Sequence, residues 1–315
     1  MQKTPPLPYN NYGTYLRSKY EGKQVYKVIV DGGFTCPNRD GTKGRGGCTY
    51  CNVDSFTPLN TRTYKTIAEQ LERNMEFAAK RFGAELFIVY FQPNTNTYAP
   101  VETLKTLYDH ALSINSDKIV GLSVGTRADC LDEEKLQLFD QYASTGLDVD
   151  LEIGMESMYD ATLKTLNRQH THQEFLDMMH LCENRKFETC VHTIFGLQGE
   201  TQEMQLAVAE QLNDLPIKYA KLHHLYIVTG SIMGVEYKRN PEKFQLYSLE
   251  AYTDFLCQLM PRLRPDIVIQ RLFGISDLAF HLAPSWGLPK AAITNYINDA
   301  FIKRGVVQGS QFGMV

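Results

Sequence analysis

The sequence predicts an α/β protein built on a parallel sheet. Six apolar, strand-like runs alternate with helical patterns of roughly 10–15 residues, which is typical of β–α units with right-handed crossovers. Hydrogen-bonding residues also follow each of the six runs, and the carboxyl ends of parallel strands meet at one rim. A closed or partly closed barrel and an open, doubly wound sheet both fit this pattern.

The individual elements follow in order from apolar spacing. Four apolar residues along 66–81 fall on one helical face, and Gly83 ends that helix. The continuous apolar run 85–91 is typical of a strand buried on both faces. The predicted strands span residues 26–31, 85–91, 119–124, 148–153, 188–195 and 221–228. The predicted helices span residues 66–81, 101–112, 133–142, 159–166, 172–185 and 199–212.

The two ends of the chain depart from this alternation. Residues 1–25 carry four tyrosines among Asn, Gly and Pro, which indicates an arm packed on the core 26–235. Residues 236–315 form a predicted C-terminal extension of the same globular unit. It contains a helix near 247–260, a short strand near 267–271 and an amphipathic helix over 290–303.

Composition restricts the class of protein. The chain has 315 residues, of which 43% are hydrophobic and 22% charged, as in ordinary globular proteins. No apolar run is long enough for a membrane span, and the N-terminus lacks the apolar segment of a secretory signal. Seven cysteines are an odd number without a disulfide framework, so we expect a reducing, cytoplasmic location.

Charge is unevenly distributed along the chain. The net charge is -4, yet residues 1–65 carry ten Lys or Arg and only four Asp or Glu. The positive residues therefore gather in the N-terminal fifth of the sequence. They are either a solvated loop surface or the mouth of an anion-binding site.

Three cysteines lie close together after the first strand. Cys36, Cys48 and Cys51 belong to a segment rich in Gly, Lys and Arg, here called the cysteine loop (residues 36–51). Thiolates select iron–sulfur clusters or zinc, and a closed site of either kind needs four ligands. The next cysteine in the sequence is Cys130. Three ligands would leave one metal position open for chemistry.

Several rim residues have structural interpretations that stay open from the residues alone. His192 lies within a strand and fits a core histidine with a satisfied hydrogen bond. Arg127 could serve only as the partner of Asp129. His223 and His224 point to opposite faces of a strand, so one at most faces inward. The remaining cysteines fit small buried hydrophobic residues: Cys130, Cys182, Cys190 and Cys257.

Five motifs together resemble the radical S-adenosylmethionine (SAM) superfamily, within it the YhcC/YtqA-like group related to the Elongator catalytic subunit. They are Asp31-Gly-Gly-Phe-Thr-Cys36-Pro-Asn-Arg-Asp-Gly, Cys48-Thr-Tyr50-Cys51, residues 90–98, Gly125-Thr-Arg-Ala-Asp129 and Lys221-Leu-His-His224. The resemblance runs from Tyr12 to Gly309. The gap of eleven residues between the first two cysteines exceeds the usual three of the superfamily, but long gaps are typical of this group.

The resemblance implies the fold, the cofactors and the chemistry. The fold would be a partial (β/α)6 barrel of the radical SAM type with a C-terminal α/β extension. Cys36, Cys48 and Cys51 would hold three irons of a [4Fe–4S] cluster, and SAM would bind the fourth. Reductive cleavage of SAM would yield a 5′-deoxyadenosyl radical that abstracts hydrogen from the substrate. An electron donor such as flavodoxin or ferredoxin would supply the electron.

The resemblance also assigns cofactor contacts. Tyr50 would pack against adenine, the loop from Gln92 to Asn96 would contact the methionine amino group, and Arg168 would pair with the carboxylate. His192 stands where many relatives have Asp. The expected cofactor-binding residues are Tyr50, Gln92, Asn94, Thr95, Asn96, Ser123, Arg127, Glu156, Arg168 and His192.

Three hypotheses about the substrate follow. The first is an RNA substrate, a tRNA wobble uridine, which the Elongator resemblance implies and the basic N-terminal region favours. The second is a small metabolite or a porphyrin-like molecule, which a deep, closed mouth would favour. The third is a non-catalytic metal-binding module, which would require a fourth protein ligand and no bound SAM.

Overall fold

Nine strands form two sheets in the computed structural model of the chain, which describes residues 7–313. Seven are parallel and lie in the order β1-β2-β3-β4-β5-β6-β8, while β7 and β9 form a small antiparallel pair. The strands are β1 (Val25–Val30), β2 (Leu86–Phe91), β3 (Ile119–Thr126), β4 (Asp148–Glu156), β5 (Glu188–Phe195), β6 (Tyr219–His224), β7 (Ile227–Val228), β8 (Val268–Arg271) and β9 (His281–Ala283). The main sheet is a curled half-barrel, which confirms the predicted fold class.

Helices connect the successive strands of the half-barrel. The helix before β2 has Thr66 as its N-cap, and the Thr66 side chain forms a capping box with Glu69. Gly83 caps its C-terminal end, as predicted. The helices are α1 (Tyr12–Lys19), α2 (Leu59–Thr63), α3 (Ile67–Phe82), α4 (Val101–Ser113), α5 (Glu133–Ser144), α6 (Asp160–Thr165), α7 (His172–Leu181), α8 (Gln202–Leu206), α9 (Val208–Asp214), α10 (Ile232–Arg239), α11 (Leu249–Leu259) and α12 (Lys290–Lys303). None of the described helices is long and apolar enough to cross a membrane.

The half-barrel contains one strand more than the six predicted for it. The short strand predicted near 267–271 in the extension joins the main sheet, because Val268 and Ile269 of β8 pair with Tyr219 and Ala220 of β6. The C-terminal segment therefore supplies the seventh strand of the half-barrel. The pairing of two distant segments cannot be predicted from the apolar spacing within so short a strand.

The sixth predicted strand, 221–228, is too long. β6 ends at His224, after which the chain turns and residues 227–228 pair antiparallel with β9. The predicted helix 172–185 ends at Leu181. The predicted helix 199–212 is two helices, α8 and α9, because the chain bends at Ala207. These boundaries depend on tertiary contacts that apolar spacing does not record.

The N-terminal arm covers the amino end of the half-barrel. Leu16 of α1 packs with Val25 and Ile88 near the start of their strands. The rings of Tyr12 and Tyr15 contact that of Tyr219, at centroid distances of 5.5 and 6.0 Å. With the amino end covered in this way, the carboxyl ends of the strands are left to form the site. Residues 1–6 of the predicted arm lie outside the described residues.

Candidate functional site

A large cavity lies at the carboxyl ends of the strands. It encloses about 1280 Å³, part of it open to solvent, and the cysteine loop forms one wall. Most of the predicted site residues line it: Cys36, Cys48, Tyr50, Cys51, Gln92, Asn94, Thr95, Arg127, Glu156, Arg168 and His192. Residues that are distant in sequence thus meet at the rim expected of a parallel sheet.

Backbone contacts from distant elements hold the cysteine loop in place. The amide of Thr49 donates to the carbonyl of Leu166 at 2.9 Å, and its carbonyl accepts from the amide of Met233 at 2.8 Å. The side-chain Nδ2 of Asn52 donates to the carbonyl of Thr229 at 2.7 Å. An irregular loop without its own core is fixed by these bonds.

Hydrogen-bond donors surround the thiols. Asn38 Nδ2 and Arg168 Nη1 lie 3.4 and 3.6 Å from Cys48 Sγ, and Arg39 Nη2 lies 4.0 Å from Cys51 Sγ. Donors of this kind stabilise metal-bound thiolates. Burial and the neighbouring Cys48 nevertheless raise the pKa of the Cys51 thiol to about 12. A bound metal would displace that proton and restore the charge that the donors face.

The three loop thiols are not gathered as tightly as the ligands of a single zinc ion. Within residues 7–313, the one set of three such ligand atoms lying within 4.8 Å of one another is Glu152, Cys190 and His192, so the three loop thiols are spread more widely. Sulfur atoms around one tetrahedral zinc lie about 3.8 Å apart, given Zn–S bonds of about 2.3 Å.

Four buried polar atoms of the lining have no partner among the described residues: Gln92 Oε1, Arg127 Nη1, His223 Nε2 and His224 Nδ1. Gln92 Oε1 is an acceptor, and Arg127 Nη1 is a donor. The other nitrogens of Arg127 are engaged: Nε and Nη2 donate to Asp129 at 2.8 and 3.0 Å, and Nη2 also donates to the carbonyl of Arg168 at 2.8 Å. One free acceptor and one free donor match the amino and carboxylate groups of an amino-acid moiety.

A close approach fixes Arg168 beside the cysteine loop. Its Nη2 donates to the carbonyl of Gly154 at 2.9 Å, and its Nε donates to His170 Nε2 at 2.9 Å. A Cβ on Gly154 would lie 2.6 Å from Arg168 Nη2 and 2.5 Å from Glu156 Oε1, so a larger residue would displace both side chains. The guanidinium is therefore held in one position by the end of β4 and by His170.

Two predicted contact residues lie outside the cavity lining. Asn96 is fully buried, and its Nδ2 donates to the carbonyls of Phe91 and Gly125, which ties two neighbouring strand ends together. Ser123 lies deeper in the half-barrel and donates to Asp150 at 2.7 Å. Both residues have a structural role of their own, and their contacts to SAM stay predictions.

Sequence reasoning missed a charged group inside the half-barrel. It is called here the interior network and consists of Lys27, Tyr90, Asp150, Glu152, His192 and Lys221. Glu152 accepts from Lys27 at 2.8 Å, from His192 at 2.9 Å, and from Tyr90 and Lys221. The available signal was that Asp148, Asp150 and Glu152 alternate along a strand, which puts their side chains on one face.

Charge balance keeps Glu152 and Lys27 ionised. Burial alone would raise the pKa of Glu152, but Lys221 and Lys27 hold it well below its usual range. Burial would likewise lower the pKa of Lys27, but Asp150 and Glu152 raise it well above its usual range. Since two ammonium groups already surround Glu152, the network does not suit a metal cation.

The fold and the site together define the class of protein. The sequence model of the radical SAM superfamily matches residues 38–212, over half of the chain. The model of the radical SAM C-terminal domain matches residues 217–303, which include β8. The chain belongs to the radical SAM superfamily and is a radical SAM enzyme, and membership implies a [4Fe–4S] cluster and SAM.

Particular relatives confirm the group that the motifs indicated. The chain is 36% identical to YhcC of Escherichia coli (strain K12) over 307 residues, which cover 96% of this chain and 95% of that protein. It is 33% identical to a protein of Methanocaldococcus jannaschii over 305 residues, covering 96% and 91%. It is 30% identical to YtqA of Bacillus subtilis (strain 168) over 322 residues, covering 99% and 97%.

A solved structure is similar in fold. The archaeal Elp3 of Methanocaldococcus infernus with an N-terminal deletion matches with a TM-score of 0.61 at 15% identity. The match covers 91% of this chain and 64% of that chain. At this identity the similarity concerns the half-barrel fold alone.

Proposed function

We propose that this radical SAM enzyme modifies RNA, with a tRNA wobble uridine as its substrate, and that Cys36, Cys48 and Cys51 hold its cluster. When bound, the cluster and SAM supply reductive cleavage of the sulfonium C–S bond and abstraction of a substrate hydrogen. The observation that carries the cofactor assignment is that Gln92 Oε1 and Arg127 Nη1 are buried without partners among the described residues, in the cavity that the three thiols line.

The chain's own side chains would bind and orient SAM. Gln92 Oε1 accepts from its amino group, and Arg127 Nη1 donates to its carboxylate. Tyr50 packs against adenine in the half-buried space beside Cys48 and Glu156. The neighbouring loop residues 94–96, together with Ser123, Glu156, Arg168 and His192, complete the predicted contact set.

The RNA assignment rests on the charge at the mouth of the cavity. Arg39, Lys43 and Arg45 of the cysteine loop are exposed, and the first 65 residues have a positive surplus. Lys43 pairs with Asp129, while Arg45 has no ion pair within the described residues. Exposed guanidinium and ammonium groups around a site favour phosphate backbones and give salt-dependent binding.

The test is an anaerobic assay on protein reconstituted with iron and sulfide. We expect 5′-deoxyadenosine after reduction with dithionite or reduced flavodoxin and addition of SAM. We also expect a clear rise when bulk tRNA from cells lacking the gene is added. A rise with a pool of small metabolites but not with tRNA would replace the RNA substrate with a small molecule. A protein with a confirmed cluster and no 5′-deoxyadenosine under any condition would contradict the catalytic assignment.

A further inference from the structure

The cavity lining carries more positive than negative side chains. Five Lys or Arg residues face it against two Glu residues, Glu152 and Glu156. Four of the five are engaged: Arg127 with Asp129, Arg168 with Glu156 and Cys48, Lys221 with Glu152, and Arg39 with Cys51. The fifth, Arg271, has no ion pair or side-chain hydrogen bond within residues 7–313.

Arg271 is the last residue of β8, on the wall supplied by the C-terminal segment. It pairs in register with Lys221 of β6, so both side chains share the inner face of the half-barrel, and both line the cavity. Arg271 is half-buried and has no acidic partner among the described residues, so its guanidinium faces the cavity without an opposite charge. A guanidinium in this position can bind a ligand that supplies that charge.

A second side chain without a hydrogen-bond partner, His223, lies on the same wall of the cavity. His223 follows Lys221 by two residues on β6 and lines the cavity, and its buried Nε2 has no partner among the described residues. Burial and then the charge of Arg271 hold the pKa of His223 well below its usual range, so the ring is neutral. The loop after β8 passes close to this ring, because a Cβ on Gly274 would lie 3.2 Å from His223 Nδ1.

We propose that Arg271 and His223 form a subsite for an oxyanion of the substrate, a carboxylate or a phosphate, on the wall formed by β6 and β8. The guanidinium fork binds two oxygens of the anion, and His223 Nε2 donates to one of them in the tautomer that carries the proton there. Most groups assigned to SAM lie on or after β1 to β4. His192 of β5 adjoins the subsite, since its ring stacks on that of His223 with the centroids 5.7 Å apart. This inference rests on the proposed function, since the oxyanion belongs to the molecule that the enzyme modifies.

Chemical labelling tests the subsite without knowledge of the substrate. Phenylglyoxal labels free guanidinium groups, and peptide mass spectrometry follows Arg271 and the exposed Arg81 in the same cluster-loaded, SAM-bound wild-type protein. At constant ionic strength we expect sodium acetate or phosphate to slow labelling of Arg271 but not of Arg81, and acetamide to slow neither. The anion that protects at the lower concentration identifies the source as carboxylate or phosphate. Equal labelling of Arg271 in acetate, phosphate and acetamide would overturn the proposal.

Kinetics of the complete enzyme give the second readout. We expect Arg271→Gln to reduce the tRNA-stimulated rise in 5′-deoxyadenosine at subsaturating tRNA by roughly 30-fold, the cost of one charge-assisted contact. Arg271→Lys should recover part of that loss, and Arg81→Gln should match the wild type. An Arg271→Gln rise equal to that of the wild type would also overturn the subsite. Failure of the proposed function is distinct, since it appears as no 5′-deoxyadenosine from the wild type.

Discussion

The cysteine loop and the interior network lie on two sides of one cavity and differ in how their polar groups are satisfied. In the interior network each charge has opposite charges or hydrogen-bond partners within the protein, and Glu152 alone accepts from four side chains at its two oxygens. Around the cysteine loop, Gln92 Oε1 and Arg127 Nη1 are buried without partners. The polar groups of the network are all paired within the protein. The polar groups around the loop are instead left free for molecules that the chain does not supply.

The largest expected effect removes a ligand from the loop. Cys48→Ala should abolish cluster assembly and activity while the apoprotein still folds, because the loop lies outside the strands. Iron content, the cluster's absorbance and circular dichroism measure these properties. Cys257→Ala, which changes a half-buried cysteine away from the cavity, should retain cluster and activity. Unfolding of Cys48→Ala at room temperature would show that the loop is part of the scaffold.

The next largest effect is expected from a substitution that breaks the interior network. Glu152→Gln leaves Lys27 and Lys221 without their shared carboxylate, so the free energy of unfolding should fall by about 3–5 kcal/mol. Urea denaturation followed by circular dichroism measures the change. Glu133→Gln, which loses only an exposed ion pair with Arg185, is the control and should change stability far less. Equal effects of the two substitutions would remove the distinction between a complete network and ordinary surface charge.

The pH dependence of stability tests how His170 supports Arg168. Burial and then the charge of Arg168 lower the pKa of His170 from 6.5 to about 4. Between these values the unfolded state binds more protons, so stability is complete above pH 6.5 and falls as the pH drops toward 4. The loss should be on the order of 2 kcal/mol. His170→Gln keeps an acceptor for Arg168 without titrating, and its stability should fall less over this range. An unchanged pH dependence would contradict the role of His170.

The smallest expected effect concerns one SAM contact. Gln92→Leu removes the unpartnered acceptor and should weaken SAM binding by about 10-fold, as for one hydrogen bond to a charged amino group. Equilibrium dialysis on the cluster-loaded protein measures the dissociation constant. Gln173→Leu, an equivalent change on α7 away from the cavity, should bind SAM as the wild type does. Equal affinities would assign the free Gln92 oxygen to another ligand.

Local sequence patterns predicted most of the half-barrel. The strand 188–195 was predicted at its observed bounds, and the helix 66–81 was shifted by one residue, because capping residues and apolar spacing mark these elements. β8 was not placed in the main sheet, since its pairing with β6 is a contact between distant segments. The site shows the same division. The three cysteines can be found from their spacing in the sequence. Arg271 can be found only from the structure, where it faces the cavity without an ion pair among the described residues.

The hydrogen bonds that hold the cysteine loop come from residues that the ribosome adds late in synthesis. Its neighbour Ser55 accepts at its carbonyl from the amide of Asp277 at 2.6 Å, and the amide of Met233 donates to Thr49. A nascent chain presents all three loop cysteines early, long before the residues that position them leave the ribosome. Metal delivered at that stage meets a flexible segment with three exposed thiols. The loop can therefore hold its three thiols in their final arrangement only after most of the last third of the chain has been made.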